Sequence, residues 1–147
     1  MGGEVYWYTV PYEKDANSAL KKLREREFEA GRYNPVMDSI DFPITGESPS
    51  PGKKHGTITE AIKAAEEDGT RSILDIQKVS RDDDYCVARI LDEDELEEYF
   101  GSAKPSRKDV EECDGFYDDI DRGQAVCITL YENGEPSELF FAGYSFD

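Results

Sequence analysis

The residues with the plainest chemistry in this chain form a basic segment between two glycines, Gly52 and Gly56. A capping box, Thr57 with Glu60, follows it and predicts the start of a helix. Free backbone N–H groups at a helix start, together with lysine side chains, attract phosphate or carboxylate. The sequence therefore predicts an anion site, against the alternative of a solvated loop that is merely basic. The candidate ligand-binding residues are Lys53, Lys54, His55 and Thr57.

A second polar group follows the first predicted helix, where Arg32, Tyr33 and Asn34 precede Pro35. As a binding site, these side chains would be exposed and form one wall of a polar pocket, with Asn34 before Pro35 in an extended conformation. The alternative is structural, with Asn and Arg satisfying carbonyl groups at the helix end while Tyr closes the core. The sequence leaves open whether this turn lies near the basic segment.

The charge of the chain is strongly acidic and unevenly distributed. The chain has 34 acidic and 17 basic residues, and segment 82–121 alone has 16 acidic and 4 basic residues. Such a balance disfavours nucleic acid and anionic membranes, whose capture depends on Lys and Arg. A basic protein partner is favoured, with solubility alone as the alternative explanation of the acidity. The carboxylates expected to face that partner are Glu97, Glu98, Glu111 and Glu112.

No motif selects an enzyme, a metal or a cofactor, and we expect no metal site and no cofactor. The basic segment is not a Walker A loop, because five residues instead of four separate Gly46 from Gly52 and Lys54 occupies the Ser/Thr position. The clustered aspartates near residue 118 do not follow the spacing of a calcium loop. The cysteines lie at apolar-patterned positions, which predicts reduced, buried thiols that are poor nucleophiles. These cysteines are Cys86, Cys113 and Cys127.

The organisation of the chain favours one domain over residues 1–147, with a long Pro/Gly-containing loop at about 32–56. No run approaches the length of a membrane span, and no signal sequence is evident at the start, so the cytoplasm is the expected location.

The strongest structural signal is a hairpin near the end of the chain. Two apolar runs, 126–131 and 139–146, flank Asn133-Gly134, which tolerates the positive φ angles of a tight turn. The second run is apolar on both alternating faces, so the hairpin is expected in the middle of a sheet covered on both sides. The predicted fold is α+β, with helices on a mainly antiparallel sheet of about five strands.

The remaining elements follow from caps and periodicity. A strand is predicted at 5–10, and helices are predicted after Asp15 or Asn17, after Thr57 and after Asp92. Further strands are predicted at 73–79 and 85–91, separated by a polar turn. A last helix is predicted from Ser106 to Gly123.

These features together favour a small acidic cytoplasmic protein whose helical segment 82–121 binds a basic protein partner, as an inhibitor or immunity-type protein would. The alternative is a small-molecule binding or enzymatic domain that takes an anionic, phosphate-bearing ligand at residues 52–57. Neither alternative requires direct contact with nucleic acid or a membrane.

Overall fold

The computed structural model describes residues 3–146. Its strands are β1 (Val5–Pro11), β2 (Lys78–Ser80), β3 (Val87–Ile90), β4 (Ala125–Glu132) and β5 (Glu135–Tyr144). Its α-helices are α1 (Ala16–Ala30), α2 (Ile58–Ala64), α3 (Glu93–Phe100) and α4 (Arg107–Glu112). Two 3₁₀ helices are η1 (Ile73–Asp75) and η2 (Gly115–Asp119). The predicted α+β class and five-stranded sheet are confirmed.

The sheet is mixed: β1, β5 and β4 pair antiparallel, as expected of a mainly antiparallel sheet, but β3 and β2 add parallel pairs that the sequence did not predict. Its order is β1-β5-β4-β3-β2, with β5 antiparallel to β1 and β4, and β3 parallel to β4 and β2. The polar turn after β2 does not make a hairpin, because the chain returns to place Val87 beside Lys78. This short return is possible because β2 has only three residues. Between β3 and β4, α3, α4 and η2 supply the long crossover that a parallel pair needs.

The hairpin of β4 and β5 lies in the interior of the sheet. Asn133 and Gly134 form its turn, with φ angles of 53° and 81°. Positive φ at both central residues matches the twist of the flanking strands. Because β5 pairs with β1 on one side and β4 on the other, it joins the first strand to the rest of the sheet.

Apolar side chains cover both faces of the sheet, as the two-sided pattern of β5 predicts. On the first face, α1, α2 and η1 cover the strands, and Leu23 and Ile73 belong to one buried cluster with Phe141. On the second face, α3, α4 and η2 form a separate cluster in which Leu96 packs with Phe140. The sheet therefore divides the core into two layers, and each layer has its own set of helices.

Side chains also protect the two edges of the sheet. The amide of Asn17 donates to the carbonyl of Val79 at 3.2 Å and accepts from its N–H at 2.8 Å, so the centre of β2 is already paired. At the other edge, the ring of Phe42 lies 5.2 Å from the rings of both Trp7 and Tyr8. Those two rings belong to opposite faces of β1, so Phe42 covers the edge between them. Covered edges resist pairing with other chains.

Local capping signals were predicted well, and two longer elements were not. Asp92 and Ser106 each form a capping box with the residue three positions later. The helix predicted from Ser106 to Gly123 is wrong, because Cys113 leaves the helical region (φ −117°, ψ 89°) and η2 begins two residues later. The strand predicted at 73–79 is also wrong over its first half. There the Ser72 side chain accepts from the N–H of Leu74 and begins η1 instead.

The long loop between α1 and α2 contains no helix or strand from residue 31 to 57. Its far end is tied back to α1 by a bond from the N–H of Gly52 to the carbonyl of Ala30 at 2.9 Å. No helix between residues 3 and 146 is long and apolar enough to cross a lipid bilayer.

Candidate functional site

The structure brings the two basic candidates of the sequence together. The hydroxyl of Tyr33 lies 2.9 Å from Nδ1 of His55, and the backbone N–H of Lys54 donates to the same hydroxyl at 3.3 Å. The turn at 32–34 and the segment at 52–57 are therefore neighbours, although about twenty residues separate them in the chain.

The residues of the 32–34 turn are buried, and the expectation that they form an exposed pocket wall is wrong. The fraction of the residue surface exposed to solvent is 7% for Arg32, 0% for Tyr33 and 8% for Asn34. Arg32 makes a two-pronged pair with the buried carboxylate of Glu27, at 2.7 and 2.6 Å. That pairing raises the pKa of Arg32. The Asn34 amide donates to the carbonyl of Gly69 at 3.0 Å, so these polar groups join the loop to its surroundings.

The basic segment itself has few groups free to receive an anion. Nζ of Lys53 lies 3.4 Å from a carboxylate oxygen of Glu29. The N–H of Gly56 donates to the Glu60 carboxylate at 2.9 Å, and the Glu60 N–H donates to the Thr57 hydroxyl at 3.1 Å. Because these N–H groups are occupied and α2 has only seven residues, the helix start attracts an anion weakly.

The helical part of the predicted acidic segment lies on one face of the sheet. Its three helical elements, α3, α4 and η2, all pack on the second face of the sheet through residues such as Leu96, Val110 and Phe116. Their outward residues include four exposed carboxylates, and we call this surface the acidic face. These carboxylates are Glu97, Glu98, Glu111 and Glu112.

A groove opens on the same side of the molecule as the acidic face. It has a volume of about 1050 Å³ and runs between the strands β1 and β5 on one side and α4 with η2 on the other. The loop at 43–45 closes the end of the groove beside β1. No local sequence pattern predicts this groove, because its lining comes from segments that are far apart in the chain. Its aromatic and acidic lining residues include Trp7, Phe140, Tyr144, Tyr117, Glu111, Asp114 and Asp118.

The lining of the groove combines aromatic rings from the sheet and from η2 with carboxylates from α4 and η2. The rings of Tyr117 and Tyr144 meet edge to face at 6.3 Å. Burial, with Tyr144 and Asp114 nearby, raises the pKa of Tyr117. Burial and the charge of Asp118 raise the pKa of Tyr144. Both phenols therefore stay neutral at physiological pH and act as polar-tipped aromatic surfaces.

The cations at the margin of the groove are already paired. The Arg107 guanidinium makes a two-pronged pair with the Glu138 carboxylate, and Arg26 lies 2.7 Å from Glu27. By contrast, the three carboxylates of the groove have no ion-pair partner within the described part of the chain. These are Glu111, Asp114 and Asp118. The groove therefore has a wall of carboxylates that form no ion pair with a described residue, although the charge of Arg107 acts on Glu111.

The structure selects no reactive nucleophile. Burial raises the pKa of Cys127 to about 12, and burial with nearby Asp75 raises the pKa of Cys86. Of the three free cysteines only Cys127 is fully buried, so the expectation of buried thiols is wrong for Cys86 and Cys113. Across residues 3–146, no three His, Cys, Asp or Glu side chains come together as a metal site.

No protein-family model, curated protein or solved structure matches this chain.

Proposed function

We propose that this protein is an acidic binding protein whose acidic face engages a basic protein partner, in the manner of an inhibitor or immunity-type protein. The observation that supports the proposal is that α3, α4 and η2 pack on one face of the sheet. Carboxylates from a segment with a net charge of −12 therefore act on one side of the molecule.

Such a surface acts mainly on the rate of encounter. Summed charges of one sign attract an oppositely charged partner before contact and raise the association rate by roughly 10- to 1000-fold at low salt. The same charges contribute less to the lifetime of the complex, which depends on buried contacts. A basic partner is therefore captured quickly, and its capture slows as salt is added.

The test is the association rate of a short, labelled, arginine-rich peptide, measured by stopped flow at about 20 mM and about 300 mM NaCl. Replacing Glu97, Glu98, Glu111 and Glu112 by Gln should lower the low-salt rate by about tenfold. The matched control replaces four exposed glutamates elsewhere, which have no ion pair among the described residues, and it should change the rate far less. These are Glu25, Glu47, Glu66 and Glu67. An equal loss of association rate in the two fourfold variants would show that the charges of the acidic face have no special role in capture.

A second function is favoured by one observation, the contact between Tyr33 and His55. That contact gathers the polar groups of two loops beside Lys54, which is exposed and has no ion pair among the described residues. An anionic, phosphate-bearing small molecule would bind at this corner. Lys53→Ala with Lys54→Ala should then abolish thermal stabilisation by inorganic phosphate or nucleotides while the unliganded melting temperature stays unchanged. Stabilisation that persists in the double variant would eliminate this corner as the site.

A further inference from the structure

We infer that the groove between β1, β5, α4 and η2 receives an arginine side chain of the basic partner. This inference rests on the proposed function, because it assumes that the partner is basic. The groove would give the partner a buried contact site, in addition to the long-range attraction of the acidic face. The groove is large enough for the task, since about 1050 Å³ exceeds the volume of one side chain and leaves space for its flanking residues.

The charge of the groove selects a cation. Glu111, Asp114 and Asp118 line one wall without an ion-pair partner in the described structure. A purely apolar segment, including one from a second copy of this chain, would remove water from these carboxylates and return no hydrogen bonds. Leaving charges desolvated and unpaired costs several kcal/mol. A cationic occupant avoids this cost because it pairs with the carboxylates it covers.

The aromatic rings beside the carboxylates favour arginine over lysine. A guanidinium is planar, so it stacks on aromatic rings, and its fork of N–H groups matches a carboxylate with two bonds at once. Trp7, Tyr117 and Tyr144 supply the rings, and Asp114 and Asp118 are close enough to the two tyrosines to raise their pKa. Rings and carboxylates thus lie within the reach of one side chain. The compact, strongly hydrated ammonium of lysine cannot use both surfaces as well.

A two-pronged arginine–carboxylate pair of the kind proposed for the partner already exists inside the protein. At the margin of the groove, the Arg107 guanidinium already pairs with two oxygens of one carboxylate, that of Glu138. An incoming arginine would add a second pair of this kind, with Asp114 or Asp118 as its acceptor.

Trp7 reports directly on this site, because it is the only tryptophan of the chain and it lines the groove. The probe is a short peptide in which one arginine is flanked by leucine and serine, together with two versions that replace the arginine by lysine or by citrulline. Citrulline has the shape of arginine without its charge. Binding is followed both by anisotropy of a labelled peptide and by Trp7 emission.

The arginine peptide should shift Trp7 emission and bind about tenfold more tightly than the citrulline peptide, the factor expected of one charge-assisted pair. The lysine peptide should fall between them. Binding without a change in Trp7 emission would place the peptide outside the groove. Equal affinity for the arginine and citrulline peptides would eliminate the guanidinium site.

Two double variants separate this inference from the proposed function. Asp114→Asn with Asp118→Asn removes charge inside the groove, and Glu97→Gln with Glu98→Gln removes the same charge from the acidic face outside it. All four side chains are exposed, so both variants should keep the unfolding midpoint of the native protein. The groove pair should raise the dissociation rate of the arginine peptide about tenfold, and the outer pair should mainly slow association.

The outcomes differ for each hypothesis. If the two pairs change dissociation equally, the groove is not an anchor, while slower association in the outer pair would still support the acidic face. If neither double variant changes the association rate but the groove variant raises the dissociation rate, the groove is a binding site and the acidic face does not steer the partner. An unchanged dissociation rate in the groove pair overturns the inference in every case.

Discussion

At the scale of single residues, the most constrained group is the carboxylate of Glu27. It is fully buried and receives hydrogen bonds from both Arg26 and Arg32. Arg32 in turn donates to the hydroxyl of Ser50 at 2.8 Å, so one ion pair links the end of α1 to the long loop. The turn at 32–34 therefore holds the loop in place, which is the structural alternative that its residue types allowed.

Removing that carboxylate should be costly. Glu27→Ala leaves the Arg32 guanidinium buried without its partner, and we expect a loss of about 3 kcal/mol in the free energy of unfolding. Urea unfolding followed by circular dichroism measures this loss. The control is Glu29→Ala, whose side chain is 63% exposed and pairs with Lys53, and it should cost under about 1 kcal/mol. Similar costs for the two variants would show that the buried pair adds nothing.

At the scale of elements, the interior hairpin depends on its turn. A Cβ added at Gly134 would meet no atom within 4 Å, so any cost of a substitution there comes from the backbone and not from a clash. Gly134→Val forces a β-branched residue to a φ of about 81° and should destabilise the protein by about 1–2 kcal/mol. Thermal unfolding measures the effect. An undiminished melting temperature would mean that the turn can rearrange without disturbing β4 and β5.

The start of α3 should give the protein a measurable acid sensitivity. Glu95 accepts two bonds from Arg89 at 2.8 Å, and this pairing lowers the pKa of Glu95 below its ordinary value of 4.5. A lowered folded-state pKa means that the stabilisation is complete above about pH 4.5 and is lost as the pH falls through the folded value. Glu95→Gln should therefore cost about 1 kcal/mol at pH 7, and less at about pH 3 as the Glu95 carboxylate takes up a proton.

Urea unfolding of both proteins at the two pH values provides the measurement. Glu98→Gln is the matched control, since Glu98 is exposed on the same helix and makes no ion pair within the described residues, and it should show no such difference. If Glu95→Gln lowered the free energy of unfolding equally at both pH values, the ion pair would not be the cause of the acid sensitivity.

Elements and sites differ in how far the sequence predicts them. The caps at Asp92 and Ser106 and the turn at Asn133 depend on residues within a few positions of one another, and each of these starts and turns was predicted correctly. The parallel pairing of β3 depends on where a distant crossover returns, which no local pattern records. The groove was missed for the same reason, since Trp7 and Tyr144 become neighbours only when β1 pairs with β5.

At the scale of the whole molecule, the net charge of −17 should oppose folding, because like charges approach one another when the chain becomes compact. Screening by salt should therefore stabilise the protein. Between about 10 mM and about 300 mM NaCl we expect a gain of about 1 kcal/mol, or about 3 °C in melting temperature. Calorimetry at pH 7 measures it.

The acidic-face variant supplies the control for this salt effect. With Glu97, Glu98, Glu111 and Glu112 replaced by Gln, less repulsion remains to be screened, so the gain with salt should be smaller. A melting temperature that falls as NaCl is added would mean that surface ion pairs outweigh the repulsion.

The pairing of β1 with β5 determines when this protein can fold during its synthesis. Val5 lies opposite Tyr144, so β1 receives its only described strand partner after all the residues between β1 and β5 have been translated. Until then, the large aromatic side chains of β1 have no sheet to join and are available to chaperones. The fold is therefore completed only after residue 144 has left the ribosome.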